Sequence, residues 1–177
     1  MKRGDNIFLV GMMGAGKTTV GKILARRLKR RFVDSDHEIE RRCGVRIPVI
    51  FDIEGEAGFR GREEQAIAEM AALDGVVLAT GGGAVLSAEN RRRLASHGTT
   101  IYLHARPEDL HRRLRHDKSR PLLYTPDPLQ RLRDLYAVRD PLYRQVADIV
   151  AETGTQSVQA LARELLAKIE ERCRVSA

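Results

Sequence analysis

The run Gly11-Met12-Met13-Gly14-Ala15-Gly16-Lys17-Thr18 sets a Gly-x-x-x-x-Gly-Lys-Thr loop between an apolar stretch, Asn6 to Val10, and a helical one. Such a loop works only where a buried strand feeds directly into a helix N-terminus, so it constrains the fold as tightly as the chemistry. Gly11, Gly14 and Gly16 lack Cβ atoms, which lets the loop turn its N–H groups inward onto an anion. Lys17 supplies a positive charge for the β and γ phosphates, and the Thr18 hydroxyl is placed to ligate Mg²⁺. Val20, Ile23, Leu24 and Leu28 follow at helical spacing. The pattern predicts a nucleoside triphosphate site rather than a bare glycine-rich turn.

The rest of the chain alternates short apolar runs with helical periods, which predicts a doubly wound α/β layout around a parallel sheet. Strands are expected near 7–10, 31–33, 76–79, 99–103 and 147–150, and helices near 16–29, 36–43, 48–72, 87–97, 107–115, 128–144 and 157–172. Gly44 suits a helix stop, Pro48 a first helical turn and Ser87 an N-cap. The 177 residues suit one domain. No apolar run approaches the ~18 residues of a membrane span. Met1 to Asp5 lead towards the first strand without a signal-type stretch, and Cys43 and Cys173 lie far apart, so free thiols in a reducing cytosol are expected. The net charge of +7 comes with only 5% aromatic residues and no basic run interleaved with them. That argues against a nucleic-acid platform and for arginines on solvated helix faces, with a subset converging on anionic ligands.

Four constellations are candidates for that subset. Asp34-Ser35-Asp36 follows the second strand, where its carboxylates would face the phosphate loop, although Asp and Ser equally serve as helix caps. Arg60 sits in Gly55-Glu56-Ala57-Gly58-Phe59-Arg60-Gly61-Arg62-Glu63, close to a break between helices. Thr80-Gly81-Gly82-Gly83 ends the third strand; it could bring backbone amides against an anion or serve as an ordinary turn. His116 to Pro128 is a long, proline-punctuated connection carrying Arg120, of the kind that forms a lid. Arg139, before Asp140-Pro141-Leu142-Tyr143, could equally join that subset or be an ordinary surface arginine. The five histidines are scattered and read as surface or packing residues.

Taken in order, these elements resemble the shikimate kinases, small-molecule kinases of the nucleoside monophosphate kinase-like group. The match runs over residues 7–150: Gly11 to Thr18, Asp34 to Asp36 with Ile39-Glu40, Gly44 to Phe51, Gly-Glu-x-x-Phe-Arg-x-x-Glu over 55–63, Thr80 to Gly83, Arg113 with Arg120-Pro121-Leu122-Leu123, and Arg139 with Pro141-Leu142-Tyr143. The resemblance implies a three-layer P-loop fold with a five-stranded parallel sheet of order 2-3-1-4-5. It implies a single kinase domain, with a substrate-binding helical segment at about 34–62 and a mobile lid at about 113–127. It implies transfer of the γ-phosphoryl group of ATP to the 3-hydroxyl of shikimate, in aromatic amino acid biosynthesis. Carried over residue by residue, Gly14, Ala15, Gly16, Lys17, Thr18 and Thr19 grip the phosphates, and Thr18, with Asp34 behind it through water, holds one Mg²⁺. Asp36, Arg60, Gly82 and Arg139 hold shikimate. Arg120 descends from the lid, Arg113 lies against the adenine, and Gln156 in the variable loop at 152–157 is an adenine-side contact. Catalysis is expected from Lys17, Asp36 and Arg120, in a cytoplasmic monomer with neither nucleic acid nor membrane as partner.

Two rivals differ in testable ways. A kinase for another polyol or acid, such as gluconate, would use the same loop but leave the matching of both Arg60 and Arg139 unexplained. A GTP-binding switch would carry an Asn-Lys-x-Asp element, which the chain lacks.

Overall fold

In the computed structural model, which describes residues 6–175, five parallel strands pair in the order β2-β3-β1-β4-β5. They are β1 (Asn6–Val10), β2 (Arg31–Asp34), β3 (Val76–Ala79), β4 (Gly98–His104) and β5 (Ile149–Glu152). Met1 to Asp5, expected to carry no signal-type stretch, lie outside the described residues. The central strands β1 and β3 are buried at every position, as strands covered by helices on both faces must be. The edge strand β5 alternates, with Ile149 and Ala151 buried and Val150 and Glu152 exposed. Leu9 of β1 pairs with Ala79, the last residue of β3, on one side and with Ile101 on the other, so β3 ends one residue short of β1 while β4 runs on to His104.

The helices are α1 (Lys17–Leu28), α2 (Ser35–Cys43), α3 (Ile47–Ala71), α4 (Ala88–His97), α5 (Pro107–Leu114), α6 (Pro128–Val146) and α7 (Val158–Val175). Their ends follow the sequence signals. Gly44 closes α2 in a left-handed conformation, Pro48 lies in the first turn of α3, and Ser87 Oγ accepts from the Asn90 amide to cap α4. Two expectations shift. The last strand starts at Ile149 rather than 147, because the Ala147 N–H still bonds the Tyr143 carbonyl and carries α6 to Val146. The long helix α3 is broken at Gly55, whose φ of 71° and ψ of −179° interrupt the helical path between Ile47 and Ala71. One part of α3 thus carries Ile47 and Phe51, and the other carries Phe59, Arg60 and Glu63.

Asn6 ties the base of the sheet together. Its amide donates to the carbonyls of Ala71 and Leu73 and its oxygen accepts from Val76 N, so a buried polar side chain spends its hydrogen bonds joining α3 to β1 and β3. Cys43 and Cys173 are free thiols. His104 packs between Glu152 and Tyr136, bonded to both.

Candidate active site

The loops after β1, β2 and β3 open on one edge of the sheet, where parallel α/β folds hold ligands. The phosphate loop takes left-handed dihedrals at Gly14 (φ 78°) and Gly16 (φ 95°). Ala15 is buried beneath it, and Thr18 and Thr19 face solvent at the start of α1. Lys17 is buried, and its ammonium donates to the loop's own carbonyls, Gly11 O at 2.7 Å and Met12 O at 2.8 Å. Burial pulls its pKa down to about 8, with Asp36 pulling the other way.

The Asp34-Ser35-Asp36 ambiguity resolves by division of labour. Asp34 is the cap: its Oδ1 accepts from the amides of Asp36 (3.0 Å) and His37 (3.2 Å), while Oδ2 accepts from the Thr18 hydroxyl at 2.8 Å. Asp36 is released from capping. Its Oδ1 is shut off from solvent with no hydrogen-bond partner, and its Oδ2 lies 4.0 Å from Arg120 Nη1. Burial, and then Asp34, push its pKa above the usual aspartate value, against the pull of Arg120, Lys17 and Arg60.

The Thr18 hydroxyl and Asp34 carboxylate, bonded to each other in the phosphate cavity, are oxygen donors suited to magnesium. Among the described residues no cluster of three or more His, Cys, Asp or Glu could hold a metal. A hard cation that keeps several waters and takes the rest of its ligands from phosphates suits such a sparse oxygen set.

A second cavity adjoins the first. Arg139, only 2% exposed, reaches it from α6, and Arg60 reaches it from α3. Arg60 Nη1 donates to the buried Glu63 at 2.7 Å, which fixes the fork while leaving Glu63 Oε1 without a partner. The glycine triplet is required by close approach. A Cβ on Gly83 would collide with the Arg60 guanidinium, one on Gly81 would run into the carboxylates of Glu63 and Asp36, and one on Gly82 would lie 3.3 Å from Met13 N and 3.4 Å from Arg139 Nη1. Ile47, Phe51 and Phe59 form an apolar wall, with the Phe51 and Phe59 rings 4.9 Å apart. Pro121 and Leu122 from the connection between α5 and α6 complete the lining.

Arg120 stands where the two cavities meet. Together with Met13, Asp36 and Gly82 it borders both, and its Nε donates to Asp117 at 3.3 Å. Arg113 belongs to α5 rather than to the connection, and donates from Nη1 to Gly14 O at 3.1 Å and to Thr153 Oγ1 at 3.4 Å, bridging the phosphate loop and the loop after β5. Gln156 stands apart: its amide is engaged by Glu164 of α7 at 2.8 Å, and it lines neither cavity. Glu63, Tyr143 and the apolar wall carried no assigned role in the sequence reading. The available signals were the i,i+3 spacing of Arg60 and Glu63 and the i,i+4 spacing of Arg139 and Tyr143.

A family model described as shikimate kinase matches residues 13–170. A shikimate kinase of Thiobacillus denitrificans is 58% identical over 170 residues, covering 96% of this chain and 93% of the relative. One from Ralstonia nicotianae is 61% identical over 166 residues, covering 94% and 87%. Among solved structures, shikimate kinase from Acinetobacter baumannii in complex with shikimate is similar at a TM-score of 0.93 and 50% identity, covering 95% of this chain and 94% of that one.

Proposed function

The chain belongs to the shikimate kinase family, ATP-dependent enzymes that phosphorylate shikimate, and from that premise we propose that transfer runs across the wall shared by the two cavities. The observation that carries this reading is that Asp36 and Arg120 border both the phosphate cavity and the arginine-lined one. ATP lies with its phosphates on the amides of Gly14 to Thr19 and its adenine towards Arg113, with Gln156 on the same side. Lys17 exchanges its loop carbonyls for phosphate oxygens. Thr18 and Asp34 would hold Mg²⁺, which would supply charge neutralisation at the triphosphate.

In the second cavity Arg60 and Arg139 clamp the substrate's carboxylate with charge-assisted bonds, and Gly82 admits the ring without side-chain interference. Asp36 accepts the hydrogen bond of the 3-hydroxyl. The oxygen–phosphorus bond to the γ-phosphoryl forms as the bond to the β-phosphate oxygen breaks, and the hydroxyl proton passes to Asp36. Its raised pKa makes it a better proton acceptor than an exposed carboxylate. Arg120 lies beside the transferring group and stabilises its spreading charge, so catalysis is mostly positioning and electrostatics. The segment around 113–127 acts as the lid that brings Arg120 in and keeps water out.

The same reading has the chain working as a cytoplasmic monomer on two small molecules. No described helix is long and apolar enough to cross a membrane. Arg139→Ala tests the clamp. The KM for shikimate should rise at least about tenfold while that for ATP stays within about twofold, since a charge-assisted bond contributes roughly 1.5–3 kcal/mol. Equal losses for both substrates would contradict it.

A further inference from the structure

Tyr143 lies beneath the second cavity with no part in the reaction as proposed. Its ring is fully buried in α6, one helical turn beyond Arg139. The phenol hydroxyl donates to the carbonyl oxygen of Gly82. Gly82 in turn lies against Arg139, whose Nη1 would be 3.4 Å from a Cβ built on that glycine. Tyr143, Gly82 and Arg139 thus form one contiguous chain of contacts beneath the cavity.

That chain touches both sides of the anion pocket. Gly82 is wedged between Met13 of the phosphate loop and Arg139, and Gly83 lies hard against Arg60. In a planar trans peptide the N–H points opposite to the carbonyl, so a Gly82 oxygen fixed on Tyr143 also fixes the direction of the Gly83 N–H. Hydrogen bonds in series polarise one another, and a carbonyl that accepts from a phenol leaves its amide a stronger donor. We propose that Tyr143 is a positioning residue for the substrate's carboxylate. It holds Arg139 and the Gly82–Gly83 peptide in one register, and so sets how strongly the enzyme prefers an acid to a neutral analogue. The proposal rests on the reading of this cavity as the shikimate site.

Tyr102 offers an internal control. It is a second fully buried phenol, 4.9 Å from Tyr143 between ring centroids, but its hydroxyl donates to Asp140 at 2.8 Å and reaches neither Arg139 nor Gly82. The experiment compares wild type, Tyr143→Phe and Tyr102→Phe, each with shikimate and with its carboxamide. Tyr143→Phe should raise the KM for shikimate about tenfold. The KM for ATP should stay within about twofold, kcat/KM for the carboxamide should barely move, and the acid-to-amide preference should narrow accordingly. Tyr102→Phe should leave that preference intact. Equal losses on acid and amide, or a Tyr143→Phe profile matching that of Tyr102→Phe, would overturn the proposal while an active wild type upholds the functional reading. A wild type inert on shikimate would overturn both. If Tyr143→Phe does not fold, 3-fluorotyrosine at position 143 keeps ring and hydroxyl but strengthens the donor. A change in the acid-to-amide ratio then supports the proposal, and an unchanged ratio overturns it.

Discussion

Lys17 needs a full charge in a place that disfavours one. Burial holds its pKa near 8 in the free protein. A bound triphosphate brings negative charge beside it and raises that pKa again. The bound state therefore holds more protons than the free state above about pH 8, so ATP affinity is fully present below that pH and falls as pH rises through it. Calorimetry at about pH 8.5, in buffers of different ionisation enthalpy, should show net proton uptake on ATP binding that disappears in Lys17→Met. Binding without proton uptake in the wild type would contradict this account. At this scale the phosphate loop was legible because its spacing is local. The roles of Asp34 and Asp36 were not, because capping and catalysis call for the same residue types. Only the hydrogen bonds separate them, with Asp34 turned to the helix and to Thr18 and Asp36 left to the crevice. Tyr143 meets Gly82 across 61 residues of chain, a contact that no local pattern announces.

Among the elements, α3 does the most to shape the acid cavity. Its break at Gly55 lets one helix supply both the apolar wall, through Ile47 and Phe51, and the floor, through Phe59, Arg60 and Glu63. Across the break, Glu54 and Arg62 form a paired salt bridge at 2.6 and 2.8 Å. Nothing lies within 4 Å of a Cβ built on Gly55, so Gly55→Ala isolates the backbone cost. That conformation is almost confined to glycine, and the variant should lose about 1–3 kcal/mol in a urea melt. It should also bind shikimate less tightly, because the wall moves relative to the floor. A variant as stable as wild type would show that the kink relaxes freely. The break was visible in the sequence as a glycine-rich stretch before Arg60, but its position at Gly55 was not. The boundary of α6 was misplaced for a related reason: Ala147 bonds backward into the helix although its apolar neighbours read as strand.

At the scale of the whole molecule, alternation of strand and helix gave the fold class, while the strand order came with the family resemblance. Periodicity alone does not say that β3 lies between β1 and β2. The +7 charge also resolves at this level. Many arginines are matched along their own helices, as in Arg41 and Arg42 with Glu38, Arg112 with Asp109 and Arg144 with Asp140. Exposed pairs of this kind are worth little to stability. Arg60, Arg120 and Arg139 instead converge on one cavity from three separate elements. The claim on which everything else depends is that this cavity presents an alcohol, selected by its carboxylate, to the end of ATP. An ADP-release assay with Mg²⁺, ATP and a panel of acceptors tests it most directly. The account predicts turnover with shikimate and background rates with gluconate and with the methyl ester of shikimate. Comparable turnover on the ester or on gluconate, or none on shikimate, would contradict it.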